Sequence, residues 1–246
     1  MNGSAAGIPV VITRFIMASD PASMAKIVPV LTSALLSRSG FVHGFTTRRG
    51  TLADIPMNEA AVYTVSQVHG SDVFVASGTP AERRAERADA IVLRDGQAGA
   101  MRVADCVPVL VGDPVTGRAA TIHAGWRGVA SGVVPAAIAT MRVRPADLVA
   151  AIGPCIEHCC FEVGDEVAEQ LSFAVPAPGV VVRQEGGKSW VDLVVAVRAQ
   201  LEACGVLAEN IERVGGCTKC DAARYHSYRR DGANSGRILG VIASRG

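Results

Sequence analysis

Ala104-Asp105-Cys106-Val107-Pro108-Val109-Leu110-Val111-Gly112-Asp113-Pro114-Val115-Thr116-Gly117-Arg118-Ala119-Ala120-Thr121-Ile122-His123 is the stretch on which the fold turns. Two apolar, β-prone runs, 107–112 and 118–123, enclose the turn formers Gly112 to Gly117, and this pattern predicts an antiparallel hairpin. In such a pair the open ends meet. Cys106, just before the first strand, and His123, closing the second, are therefore neighbours in space although 17 positions apart in sequence. A third borderline metal donor, His69, closes another apolar run, 61–69, within Gln67-Val68-His69-Gly70.

Two imidazoles and one thiol make three protein ligands, one short of a closed tetrahedral site, and catalytic zinc sites are built with that one position open. The spacing alone does not decide it. A single His or Cys at a strand end is commonly a packed residue, and ligand intervals this long are not diagnostic. The neighbours favour the site: Asp105 stands beside Cys106, and Gly125-Trp126-Arg127-Gly128 follows His123. Charged groups beside glycines at strand ends mark places where backbone approaches a ligand. The residues thus point to a metal centre of His69, Cys106 and His123.

Working outward, further strands are expected at 72–76, 89–93, 99–104, 148–152, 179–183 and 237–243. Residues 129–142 read as an Ala/Val-rich helix that Pro135 kinks or begins; amides at its start, with Arg127, would welcome an anion. Trp190, Val194, Val197, Leu201 and Cys204 form one apolar stripe, predicting a helix over 190–204 that Gly205 ends. The charged Ala81–Ala88 stretch reads as a helix-favouring, solvated face. The alternation of strands and helices gives a mixed, layered α/β arrangement.

Composition sets limits. The 246 residues suffice for a substantial core, the apolar fraction is 49% and aromatics are 4%. A formal net charge of +1 without a basic block points away from nucleic acid and anionic membranes. No apolar run reaches the roughly 18 residues needed to span a bilayer, and the Ile8–Thr13 run has no signal-peptide flanks. Seven cysteines are expected to be reduced thiols in a cytoplasmic compartment. Cys217-x-x-Cys220 reads as half a zinc site, a redox pair, or packing at the mouth of the site, the last being preferred; Cys155, Cys159 and Cys160 are its available partners. Cys155 is expected to border the pocket, His158 to lie on the surface, and His226 to line the pocket.

Eight segments in order carry a resemblance to a known family. They are His43-Gly44-Phe45-Thr46-Thr47-Arg48, Gln67-Val68-His69-Gly70, Ala104-Asp105-Cys106-Val107-Pro108-Val109-Leu110, His123-Ala124-Gly125-Trp126-Arg127-Gly128, Ile152-Gly153-Pro154-Cys155-Ile156, Phe161-Glu162-Val163-Gly164, Cys217-Thr218-Lys219-Cys220 and Ser227-Tyr228-Arg229-Arg230-Asp231-Gly232. The chain resembles the YfiH family, formerly DUF152, whose members are called multicopper polyphenol oxidoreductase or laccase-domain proteins, peptidoglycan editing factors and purine nucleoside phosphorylases. The resemblance implies a single α+β domain of layered mixed β-sheets flanked by helices, over 27–246, after an N-terminal extension, 1–26. One departure stands out: members usually carry a longer stretch with a helix before the Gln-Val-His-Gly motif, where this chain has only 50–65, and Asn58 is what remains of an Asn-containing turn.

The resemblance further implies a zinc-dependent purine nucleoside phosphorylase acting on adenosine, inosine and methylthioadenosine, with adenosine deamination as a companion activity. Asp105 would shuttle a proton or orient a ligand, while Arg48, Arg127 and Arg229 are the candidates to hold phosphate. Copper is the alternative metal, but five histidines are few for a multicopper phenol oxidase. A third reading is a hydrolase that edits cell-wall precursor peptides, with Cys106 as nucleophile and His123 as its base.

Overall fold

The computed structural model describes residues 27–183 and 188–246; the expected extension 1–26, with its Ile8–Thr13 run, lies outside the described residues. The hairpin forms as read. Val107–Gly112 and Ala119–Ala124 pair antiparallel, with Pro108 opposite His123 and Val107 opposite Ala124. Asp113 closes the turn: its carboxylate accepts the Val115 amide at 2.9 Å and the Thr116 hydroxyl at 2.5 Å.

This hairpin is the centre of a six-stranded sheet. Its order is Ile211–Arg213, Val149–Ile152, Val107–Gly112, Ala119–Ala124, Ala90–Leu93 and Val73–Val75, parallel at both edges and antiparallel within. A five-stranded sheet runs Val30–Leu31, His43–Thr46, Ile238–Ala243, Ala98–Val103 and Val62–Tyr63. A three-stranded sheet is made of Glu162–Val163, Ser189–Val191 and Val181–Arg183. Together with their helices they form one α+β domain.

Side-chain alternation explains why both faces of the hairpin are apolar. Val107, Val109, Val111, Ala120 and Ile122 pack on one face with Val134 and Ile138 of the helix Val133–Met141 and with Val197 and Leu201 of the helix Leu193–Ala203. Leu110 and Ala119 point the other way, onto Phe45, Met101 and Ile242 of the five-stranded sheet. Full burial of Phe45, Met101 and Leu110 contributes about 2–3 kcal/mol apiece. On that second face Thr121 donates to the Gly240 carbonyl at 3.0 Å, tying the two sheets together. His123, two residues on, belongs to the same face at the strand's end.

Several expectations change. Residues 126–141 form two helices, Trp126–Ala130 and Val133–Met141, because Gly132 at φ +81° interrupts them. Gly128 is therefore inside the first helix. Pro135 sits in the first turn of the second, where a missing N–H leaves no intrahelical bond unmade. The helix expected from 190 begins at Leu193: Asp192 caps it by accepting the Val195 amide at 3.0 Å, and Trp190 is drawn into strand pairing. Cys204 caps the helix end, partly buried against the core, and Gly205 follows. The 81–88 segment forms turns, and the strand expected over 61–69 reduces to Val62–Tyr63 with an isolated bridge from Ser66 to Arg87. Between Gly50 and Val65 there are two short 3-10 turns, Asn58 capping the second. Among the described residues no helix is long and apolar enough to cross a membrane.

Candidate metal centre and cleft

His69, Cys106 and His123 converge: their donor atoms all lie within 4.8 Å of one another. His123 arrives on the hairpin's second strand and Cys106 on the residue before its first. His69 comes not from a strand but from a loop held at φ +62°. Asp105, at φ +89°, is the other left-handed residue here. Non-glycine residues in that region store strain that the surroundings must over-determine, and such strain concentrates at functional sites.

Asp89 supplies the determination. This buried carboxylate accepts the backbone amides of His69 (2.9 Å), Gly70 (2.8 Å) and Val68 (3.2 Å), which fixes the loop, and stands 2.7 Å from His123 Nδ1. An ionised carboxylate only accepts, so His123 Nδ1 carries the proton and Nε2 is left to face the centre. Burial works against the Asp89 charge, but His123 and the amides outweigh it and hold the carboxyl below its ordinary value. Burial likewise would raise the Cys106 thiol; hydrogen bonds and charge from His123 and His69 overcome that and bring it down to about 6. Desolvation would lower His123, yet Asp89 and Cys106 raise it to about 9. The His69 and His123 rings meet edge to face, centroids 4.8 Å apart. Gly125 completes the cradle: a Cβ there would lie 3.0 Å from Cys106 Sγ and 3.3 Å from the His69 ring. Two nitrogens, a readily ionised sulfur and an acid-oriented imidazole fit a borderline divalent ion such as zinc or copper.

The three donors line a cleft of about 750 Å³, within the usual range for small-molecule sites. Asp105 lies on its wall, accepting the Thr218 hydroxyl at 2.5 Å on one oxygen and the Arg229 amide at 2.6 Å on the other. Arg127 and Arg229 also line it; Arg127 lies 4.4 Å from the Trp126 ring centroid, and Arg229 lies 5.3 Å from that of Phe161 while donating to the Glu162 carbonyl. Arg48 is not on this wall. Its guanidinium is taken by Asp231 at 3.6 Å and the Ala222 carbonyl at 2.8 Å. His226 is also off the wall, packed under Gly236, and Cys155 is buried behind it with its thiol pushed up to about 12 by desolvation. His158 is exposed and pairs with Asp192.

Sequence reasoning missed Asp89, Arg102, Arg237, Phe161 and Tyr228, all but Asp89 lining the cleft. The one available signal was an acidic residue set inside the apolar run Ala88-Asp89-Ala90-Ile91-Val92, since a buried charge without partners is too costly to keep.

Comparison with known proteins bears on the family and the fold. Residues 43–245 match the family model described as multi-copper polyphenol oxidoreductase laccase. A purine nucleoside phosphorylase, SCO2081, of Streptomyces coelicolor is 39% identical over 76% of this chain and 76% of its own. The adenosine deaminase RL5, from an unknown prokaryotic organism, is 41% identical over 64% of this chain and 63% of its own. The crystal structure of YlmD from Geobacillus stearothermophilus superposes with a TM-score of 0.78 at 28% identity, covering 87% of this chain and 94% of that one. Bacillus licheniformis YfiH, at 24% identity and a TM-score of 0.80 over 89% and 97%, shares the fold.

Proposed function

The chain belongs to the multi-copper polyphenol oxidoreductase laccase family, the YfiH family, and from that premise we propose that it is a zinc-dependent purine nucleoside phosphorylase for adenosine, inosine and methylthioadenosine, with adenosine deaminase activity. Relatives named for both reactions support an enzyme of this kind. The observation that carries the reading is the open three-donor cluster at the base of an arginine-bearing cleft of nucleoside size. His69, Cys106 and His123 would hold the ion, copper being the alternative occupant. When bound, the metal supplies Lewis-acid polarisation of a substrate or water oxygen.

The chain's own groups do the rest. Asp89 sets the His123 tautomer and the His69 loop. Asp105, pinned by Thr218 and Arg229, presents a carboxylate that takes or returns a proton at the reacting base. Arg127 and Arg229 draw phosphate toward the ribose anomeric carbon; Arg48 serves only where Asp231 releases it. Phe161 and Tyr228 offer aromatic faces to the purine. Residues 27–246 act as one catalytic unit, with purine nucleosides and phosphate as partners and the cytoplasm as its setting.

The test is to incubate metal-defined protein with adenosine, with and without phosphate, and separate the products. Adenine appearing only with phosphate supports phosphorolysis, and inosine without it supports deamination. Neither product at any metal loading, together with cleavage of a muramyl peptide precursor, would overturn the reading. One observation favours that second reading: Cys106, His123 and Asp89 form a hydrogen-bonded thiol–imidazole–carboxylate array with a lowered thiol, the arrangement of a cysteine nucleophile. A phenol oxidase gains no such support, because His43, His158 and His226 join neither group of metal donors among the described residues.

A further inference from the structure

Outside the donor triad, four cysteines gather where no strand or helix requires them. The sulfurs of Cys159, Cys160, Cys217 and Cys220 all lie within 4.8 Å of one another, with Cys160 and Cys159 at 3.3 and 3.6 Å from Cys220. No pair is bonded. We propose that these four cysteines hold a second, closed metal centre, a tetrahedral zinc that staples two loops behind the wall of the cleft.

The geometry supports this in three ways. Zinc–sulfur bonds of about 2.3 Å in a tetrahedron put the sulfurs about 3.8 Å apart, inside the spread observed. The cluster also joins two separate turns, 157–161 and 217–221, which are otherwise tied by a backbone β-bridge between Cys155 and Cys217 and by the Thr218 amide on the Cys155 carbonyl. And the Cys217 sulfur accepts the backbone amides of Glu157, Lys219 and Cys220, the donor set that a metal-bound thiolate receives in a Cys-x-x-Cys turn. Packing of thiols as small hydrophobes does not explain the cluster, since Cys159 and Cys220 are exposed. The adjacent pair Cys159-Cys160 is an unusual way to supply two ligands, which the usual two-to-four-residue spacing would not reveal.

The staple has a consequence for the cleft. Thr218, which holds Asp105, lies between Cys217 and Cys220, and Phe161 follows Cys160 directly. The second centre is thus a positioning device for the first and takes no part in chemistry.

Zinc content of the full chain, purified under reducing conditions and dialysed against metal-free buffer, tests the proposal. Two equivalents per chain are expected, falling to one in Cys106→Ala and to one in Cys159→Ser/Cys220→Ser. Cobalt loaded into the wild type should give the intense visible bands of a multi-thiolate tetrahedral site, retained in Cys106→Ala. The proposal falls if the wild type binds a single equivalent that Cys106→Ala removes, or if intact mass shows two of the four sulfurs joined with loss of two hydrogens. The wild-type stoichiometry and cobalt spectrum stand even where the double variant misfolds. Zinc retained in Cys106→Ala separates this centre from the one in the proposed function.

Discussion

Two sulfur-bearing clusters lie on either side of the Thr218–Asp105 hydrogen bond, and they are built on opposite plans. The cleft cluster mixes two imidazoles with one thiol, leaves one tetrahedral position free, and is held by a buried acid and two residues with left-handed backbone. The cluster behind the wall has four sulfurs, no imidazole and half its members exposed. An incomplete donor set suits turnover, because something other than protein must fill it; a complete one suits a staple. The Thr218–Asp105 contact connects them, so a molecule with chemistry on one side carries its brace on the other.

Cys106→Ala should break the comparison most severely. It removes the sole sulfur of the cleft cluster, and the loss of several kcal/mol of Lewis-acid stabilisation corresponds to a fall in adenosine turnover on the order of a thousandfold or more. Metal analysis alongside the kinetics decides what the thiol does. Loss of one equivalent together with turnover agrees with ligation. Turnover lost with both equivalents kept would instead make Cys106 a nucleophile and move the cleft into hydrolase chemistry.

Asp89→Asn should sharpen the contrast by weakening one cluster and sparing the other. The amide keeps the shape but places an N–H₂ where amides of the His69 loop or His123 Nδ1 need an acceptor. Loss of such an orienting partner typically costs about 10–100-fold in metal affinity, read by competition with a zinc chelator. The four-sulfur equivalent should be unmoved. Equal weakening of both, or of neither, would mean that Asp89 serves folding and not the centre.

How legible these regions were from sequence follows from how local their determinants are. The hairpin was readable because two strand runs and the Asp113 turn lie within one contiguous stretch, and closing it forces Cys106 toward His123. His69 was readable as a donor but not as a loop residue, since its φ of +62° is set by Asp89, 20 positions away. Asp89 itself was hidden because its partners lie 19 to 34 positions off, and no spacing rule spans such an interval. The Cys217-x-x-Cys220 half-site had Cys155, Cys159 and Cys160 as available partners, but no spacing chose among them: the two that join it are adjacent to each other, 61 and 60 positions before Cys220. Trp190 shows the converse error. It matched a helical stripe perfectly, yet Asp192 offered a stronger cap, and strand pairing took the residue. Arg48 matched a motif whose neighbour Asp231, 183 positions later, claims its charge.

Thr218→Val carries the smallest and most discriminating expectation. Thr218 is fully buried, so valine, of nearly equal volume, keeps the packing while removing the hydroxyl that donates to Asp105 Oδ1. A hydrogen bond to a charged group is worth about 1.5–3 kcal/mol. Part of that is recovered here because the Arg229 amide still holds the other oxygen, leaving a fall in kcat of about tenfold. KM for adenosine should hardly change, as Thr218 lines no part of the cleft, and both zinc equivalents should remain. A merely structural role predicts lower thermal stability with kcat unchanged. That result would cut the link between the two clusters and leave each to stand alone.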